Sequence, residues 1–137
     1  MLIFTDAGFK KGVSSHGFIV KHWDGRVILE KSFIGNETDS NESELMSIVN
    51  ALNWLGAKRK GTKRRPRIYT DSLVIYEAVH GIGNHKIDVT YIQHMMKQVN
   101  AKLLWRKRNE ERIQEVHNLV NLKLNSKLNK LSIRRSK

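Results

Sequence analysis

The chain has 137 residues, no cysteine, and 25 Lys and Arg against 13 Asp and Glu, a formal net charge of +12. That length suits one domain with a real core, the missing thiols exclude disulfides and thiolate chemistry, and no apolar run approaches the roughly 20 residues of a bilayer span. The positive excess points to a polyanionic partner, nucleic acid above all. It is clustered in Lys58 to Arg67, in Arg106-Lys107-Arg108, and in Arg134, Arg135 and Lys137.

The first predicted element is a short buried strand, Leu2-Ile3-Phe4-Thr5-Asp6. It begins without the basic start and cleavage site of a signal peptide, and a cytoplasmic protein is expected. Ala7 to Ser15, with Gly8 and Gly12, reads as a turn. Two β-rich runs follow, residues 17–23 and 26–33, joined by Asp24-Gly25. They predict a hairpin with Gly25 in the positive-φ position of a type I′ turn, so three antiparallel strands open the fold. After a polar connection, Leu45, Ile48, Val49, Leu52 and Leu55 recur at helical spacing. Ser40 or Asn41 is placed to cap that helix, and Gly56 to end it.

The basic stretch leads to a second short strand, Arg67-Ile68-Tyr69-Thr70-Asp71, and then to a helix over residues 72–79. Gly81 to Asn84 is a loop, Asp88 to Asn100 a helix with Ile92, Met95, Met96 and Val99 inward, and Lys102 to Trp105 a fifth strand. A long amphipathic helix beginning near Asn109 or Glu110 closes the chain, with a basic tail from about residue 129. This order implies a single α/β domain over 1–137, one mixed sheet with helices on both faces.

Two of these strands end alike, at Thr5-Asp6 and at Thr70-Asp71. If they are parallel neighbours they lie about 4.8 Å apart, and their carboxylates converge. Like charges so close need a proton or a divalent cation between them, and open sheets place ligand sites at strand carboxyl ends. Glu44, in the first turn of the first long helix, shares a face with Ile48 and points to the sheet, whereas Glu42 points away. Plainer readings stand beside these: Asp71 as the cap of the helix that Ser72 opens, and Glu44 as a capping-box residue reaching back to Asn41.

An Asp ending strand one, a Glu starting the first helix and an Asp ending strand four, carried by Ile3-Phe4-Thr5-Asp6-Ala7-Gly8, Asn41-Glu42-Ser43-Glu44-Leu45 and Tyr69-Thr70-Asp71-Ser72, resemble ribonuclease H of type 1. The likeness spans roughly residues 1–122. It implies a ribonuclease H-like fold with a five-stranded mixed sheet, three strands antiparallel and two parallel. It also implies hydrolysis of the RNA strand of an RNA/DNA hybrid with two Mg²⁺ or Mn²⁺ ions, which in such chemistry sit about 3.5–4 Å apart. Asp6 matches the ligand shared by both ions, and Glu44 and Asp71 match ligands of the leaving-group ion.

The chain departs from that pattern at several points. Where the family has a fourth acid in the last helix, this sequence has His117, in Glu115-Val116-His117-Asn118-Leu119-Val120. It falls on the stripe of Ile113, Val116, Val120 and Leu124, and is read both as a fourth metal ligand favouring Mn²⁺ and as a packed core histidine. Glu110 lies two turns away, and Glu111 and Glu115 point elsewhere. No histidine stands in a glycine-rich loop before the last helix, Leu73 replaces a common Gln, and the basic protrusion between the middle helices is missing. Asn41 matches a substrate-contacting asparagine. With Ser72, Lys10 and Lys11, and Arg106 and Arg108, it completes the expected nucleic-acid contacts. The resemblance thus implies a hybrid-cleaving nuclease, and a monomer without obligatory protein or membrane partner is expected. The same fold with a decayed site, binding hybrid or structured nucleic acid uncut, and a related nuclease acting on DNA are the alternatives.

Overall fold

The computed structural model describes residues 1–58 and 64–135. Residues 59–63 of the basic stretch, and Ser136 and Lys137, lie outside the described residues. Strands β1 (Leu2–Lys10), β2 (Val13–Lys21) and β3 (Val27–Gly35) form an antiparallel meander. Helix α1 (Ser40–Lys58) then crosses to β4 (Arg67–Thr70), which pairs in parallel with β1. Two helices, α2 (Leu73–Val79) and α3 (Thr90–Val99), precede β5 (Lys102–Trp105), parallel to β4, and α4 (Glu111–Arg135) follows. The sheet order is β3-β2-β1-β4-β5, the expected three antiparallel and two parallel strands.

Period-two alternation along the inner strands divides the core into two layers. Ile3, Phe18, Val20 and Ile68 pack under α1, α2 and α3 with Ile48, Leu52, Ile75 and Ile92. Leu2, Phe4, Ile19 and Tyr69 pack on the other face against Ile113, Val116 and Val120 of α4. Asp6 is in step with Leu2 and Phe4, so it faces α4.

Several boundaries differ from the sequence reading. The predicted turn at Ala7 to Ser15 is instead strand: β1 continues to Lys10, and the reversal takes only Lys11 and Gly12, with φ of 53° and 75°. Gly8 had read as a breaker. In fact β1 passes close beneath α4 there, and a Cβ on Gly8 would lie 3.2 Å from Leu124 Cδ2. The β2–β3 turn holds three residues rather than two. Gly25 N–H donates to the His22 carbonyl, His22 N–H donates to the Arg26 carbonyl, and Gly25 has φ 95°, the pattern of a type I turn followed by a left-handed residue. Gly56 does not end α1, which runs on to Lys58. Its missing side chain serves contact with α3, since a Cβ there would meet Met95 Cε at 3.3 Å. Helix α3 starts at Thr90 rather than Asp88, whose carboxylate accepts from Thr90 N–H. Helix α4 continues through residue 129 to Arg135.

Candidate active site

The parallel register of β1 and β4 matches Phe4 with Tyr69, so Asp6 and Asp71 each stand two residues beyond a paired position, at the same carboxyl edge. Both threonines of the repeated Thr-Asp fix this edge. Thr5 Oγ1 donates to the Tyr69 carbonyl across the strands (2.9 Å), and Thr70 Oγ1 accepts from Ser72 N–H (3.1 Å). Trp105 Nε1 donates to the Asp71 carbonyl (3.1 Å), tying β5 to the same turn. Ser72, not Asp71, caps α2, its hydroxyl accepting from Ile75 N–H. The Asp71 carboxylate has no capping duty.

The capping alternative for Glu44 is likewise taken by other residues. Asp39 caps α1, accepting from Glu42 N–H at 2.8 Å, where Ser40 or Asn41 had been expected. Glu42 reaches back to Thr38, accepting from its N–H at 3.0 Å and from its hydroxyl. Glu44 is left for the sheet edge. There one carboxylate oxygen each from Asp6, Glu44 and Asp71 lie within 4.8 Å of one another.

Asp6 Oδ1 and Glu44 Oε2 are out of water and have no hydrogen-bond partner. Burial, and next the Asp71 charge, raise the Asp6 carboxyl from 3.8 to about 6, against the opposing pull of His117. Burial, then Asp6 and Asp71, raise Glu44 well above the usual carboxylate range. Three acids with two orphaned oxygens form a hard, all-oxygen donor set that fits a divalent cation.

His117 lies beside this group. Its Nδ1 is 2.8 Å from Asp6 Oδ2, and its Nε2 is 3.0 Å from Asn121 Nδ2. Asn121 can only donate through that nitrogen, so Nε2 accepts and Nδ1–H donates to Asp6. Both ring nitrogens are engaged, and His117 stands outside the set whose ligand atoms converge. Asn121 escaped the sequence reading. The available signal was its position one turn after His117, where helical side chains meet.

Arg108 Nε approaches Asp71 Oδ2 at 3.3 Å, with most of its side chain exposed. With Ser40, Asn41, Glu44, Asp71 and Ser72 it lines a cleft of about 340 Å³. Of the predicted nucleic-acid contacts, Asn41, Ser72 and Arg108 are therefore gathered at the acids, although the Ser72 hydroxyl is engaged in its cap. Lys10 and Lys11 are exposed at the β1–β2 turn, beyond Asp6 on the same strand. Arg106 does not line the cleft; its guanidinium lies 4.9 Å over the Tyr69 ring.

A larger cleft, about 600 Å³, lies between β3 and α1 and includes His16, Glu37 and Asn50. The buried groups there are already paired: His16 Nε2 meets Glu37 at 3.3 Å and Nδ1 meets Asn50 at 2.9 Å. Ser14 also donates to Glu37. Burial holds the His16 imidazole below its ordinary range, though Glu37 opposes this. The network fastens the β3–α1 connection to β2, and unsatisfied chemistry, not size, distinguishes the smaller cleft.

Comparison with solved structures decides the architecture. A ribonuclease H1 isolated from compost by a metagenomic approach (LC11-RNase H1) superposes with a TM-score of 0.79 at 21% identity, covering 93% of this chain and 96% of that one. The chain has the ribonuclease H fold. A structure of LC11-RNase H1 in complex with an RNA/DNA hybrid gives a TM-score of 0.74 at 20% identity, over 90% of this chain and 98% of the other. Ribonuclease H1 from the halophilic archaeon Halobacterium salinarum gives 0.74 at 14% identity, over 91% and 97%. No protein-family model and no curated protein matches the sequence. Thus the ribonuclease H fold persists here at identities that leave activity to be argued from the site. No helix among the described residues is long and apolar enough to cross a membrane.

Proposed function

We propose that the protein is a divalent-metal-dependent endonuclease that hydrolyses the RNA strand of RNA/DNA hybrids. The observation that carries this reading is the convergence of Asp6, Glu44 and Asp71 within 4.8 Å, with two buried oxygens unpartnered, in a chain of net charge +12. Those three residues would hold the metal, Mg²⁺ or Mn²⁺, two ions by the resemblance. Bound there, such ions supply activation of the attacking water and stabilisation of the leaving oxygen.

The chain's own groups prepare the site. His117 donates to Asp6 Oδ2, fixing the carboxylate plane so that Oδ1 remains for the cation, while Asn121 fixes the histidine tautomer. In this role His117 supports a ligand, in place of the fourth-ligand role the resemblance suggested. Arg108 partly offsets the Asp71 charge and, being exposed, is free to turn to a phosphate. Asn41 offers its amide to a groove edge, and Lys10 and Lys11 supply charge where the strand would leave. Discrimination of RNA from DNA would rest on 2′-hydroxyls in the wide minor groove of the hybrid.

The test is cleavage of a labelled hybrid in Mg²⁺ and separately in Mn²⁺, with single-stranded RNA and duplex DNA alongside and Asp71→Asn as control. Hybrid-selective cutting abolished by Asp71→Asn is the expected result. A second reading, a module that binds hybrid without cutting, is favoured by His117 and Arg108, which sit against two of the three acids. Hybrid binding with no cutting in either metal selects that reading.

A further inference from the structure

The face of the sheet that carries Asp6 and Asp71 is only half covered. Although its N-terminal end reaches Tyr69, helix α4 packs chiefly across β1, β2 and β3 and much less across β4 and β5. Arginines lie there instead, each against an aromatic ring. Arg64 is 3.7 Å over Trp23 and Arg67 is 5.4 Å from the same ring. Two residues further along β4, Tyr69 stacks on Phe4 (centroids 4.8 Å apart, planes within 8°). Arg106 lies over Tyr69 at 4.9 Å, and Arg112 over Phe4 at 4.8 Å and Tyr69 at 5.6 Å. Two residues beyond Tyr69 comes Asp71, with Arg108 against it.

From Arg67 to Asp71 is about 13 Å along the strand, and guanidinium groups line the whole distance. Lys102 pairs with Arg67 on β5 and widens the strip. Of these cations only Arg112, to Glu110, and Arg108, to Asp71, have an acidic partner among the described residues. The local potential is felt by the N-terminus: burial first, then Arg64 and Arg67, push the Met1 amino group down to about 6.

We infer that this arginine-on-aromatic strip is a nucleic-acid track that holds an unpaired extension of the hybrid as it leaves the acid cluster. The inference rests on the hybrid reading above and extends it to the form of substrate. A guanidinium set over a ring keeps its outer face for a ligand. Arg106 donates to the Trp105 carbonyl and Arg112 to Glu110, while the N–H edges of Arg64 and Arg67 have no partner among the described residues. That combination suits an unpaired base stacked on the plane and a phosphate at the fork. A duplex would need a groove, and the strip is a shallow face beside the start of α4. Base pairing is not read anywhere along it, so the track is indifferent to sequence.

The experiment measures binding in EDTA, where nothing is cut, by fluorescence anisotropy at several salt concentrations. The probes are a blunt RNA/DNA hybrid and the same hybrid with a short unpaired tail on each end in turn. One tail should tighten binding by wild type and steepen the salt dependence. Each phosphate contact on a single strand contributes a slope of about 0.7, so Arg64→Ala/Arg67→Ala should lower the tailed slope by about 1.4 and leave blunt-hybrid binding unchanged. Arg64→Ala alone, at an exposed position, should lower it by about 0.7 and guards against a folding defect in the double variant. The inference is overturned if no tail tightens wild-type binding, or if Arg64→Ala weakens blunt and tailed probes equally. Blunt-hybrid binding without any tail effect would sink the track alone. Failure to bind the blunt hybrid at all would sink the hybrid reading with it.

Discussion

Asp6→Asn should stabilise the metal-free protein, and its pH dependence follows from burial. The Asp6 carboxyl titrates at about 6 rather than 3.8 because it is desolvated and faces Asp71. Between those values the folded protein holds a proton that the unfolded chain has released. Stability therefore falls as pH rises through the window from about 4 to about 6. About two units at roughly 1.4 kcal/mol each is about 3 kcal/mol lost by neutral pH. Asn carries no charge to desolvate and still offers an oxygen to His117 Nδ1–H. In a domain of this length 1 kcal/mol moves Tm by about 4 °C, so the variant should melt about 10 °C above wild type at pH 7 in EDTA, with the gap closing toward pH 4. Thermal unfolding followed by circular dichroism across that range is the assay. Adding Mn²⁺ should then raise wild type more than the variant, because the ion supplies the charge that burial withholds. A variant that melts at or below wild type at every pH in EDTA would refute the desolvation argument. So would a gap that does not vary with pH.

Glu44→Gln should act in the same direction, since Glu44 is raised by the same causes; it should raise Tm in EDTA at neutral pH and abolish hybrid cleavage. Ser72→Ala removes the α2 cap and should cost about 1 kcal/mol in urea unfolding, leaving the Mn²⁺-induced rise in Tm intact. Gly17→Ala should be the most damaging single methyl: its Cβ would sit 2.6 Å from the Lys31 carbonyl oxygen and 3.2 Å from Val120 Cγ2. A loss of about 1–3 kcal/mol or more is expected by urea titration, because the nearest obstacle is backbone.

Elements set by local pattern were legible in the sequence, and features set by distant packing were not. The two Thr-Asp strands, the Asp24-Gly25 reversal and the stripes of α1, α3 and α4 each announce themselves within a few residues. The length of β1 did not, because Gly8 is a turn residue by composition, and it is the pairing with Ser15 across the ladder and the close approach of Leu124 that suit a glycine in the strand. The α1 cap was misplaced by one or two residues because Asp39, Ser40 and Asn41 are all competent caps. His117 reads as facing inward, and its ring does turn to Asp6, yet its partners could not be read. A histidine on an apolar face is compatible with ligation, packing or a hydrogen bond, and only the meeting of α4 with Asp6 brings Nδ1 to 2.8 Å. Arg108 is expected as a nucleic-acid contact, and its position beside Asp71 could not be read from a loop residue 37 positions further along the chain.

The choice between enzyme and binder turns on what the acid cluster costs when it does nothing. A buried oxygen without a partner costs roughly 1–3 kcal/mol, and the site has two, on Asp6 and Glu44. A module that only gripped nucleic acid would be more stable, and would repel phosphate less, with amides at these positions. His117 and Arg108 relieve one oxygen each on Asp6 and Asp71, but neither reaches Asp6 Oδ1 or Glu44 Oε2. The relief stops where a cation would bind. The arginine strip adds to this from outside. It ends at Asp71, so an extension held along it would fix the strand as it leaves the three acids, a geometry that benefits a reaction more than mere retention.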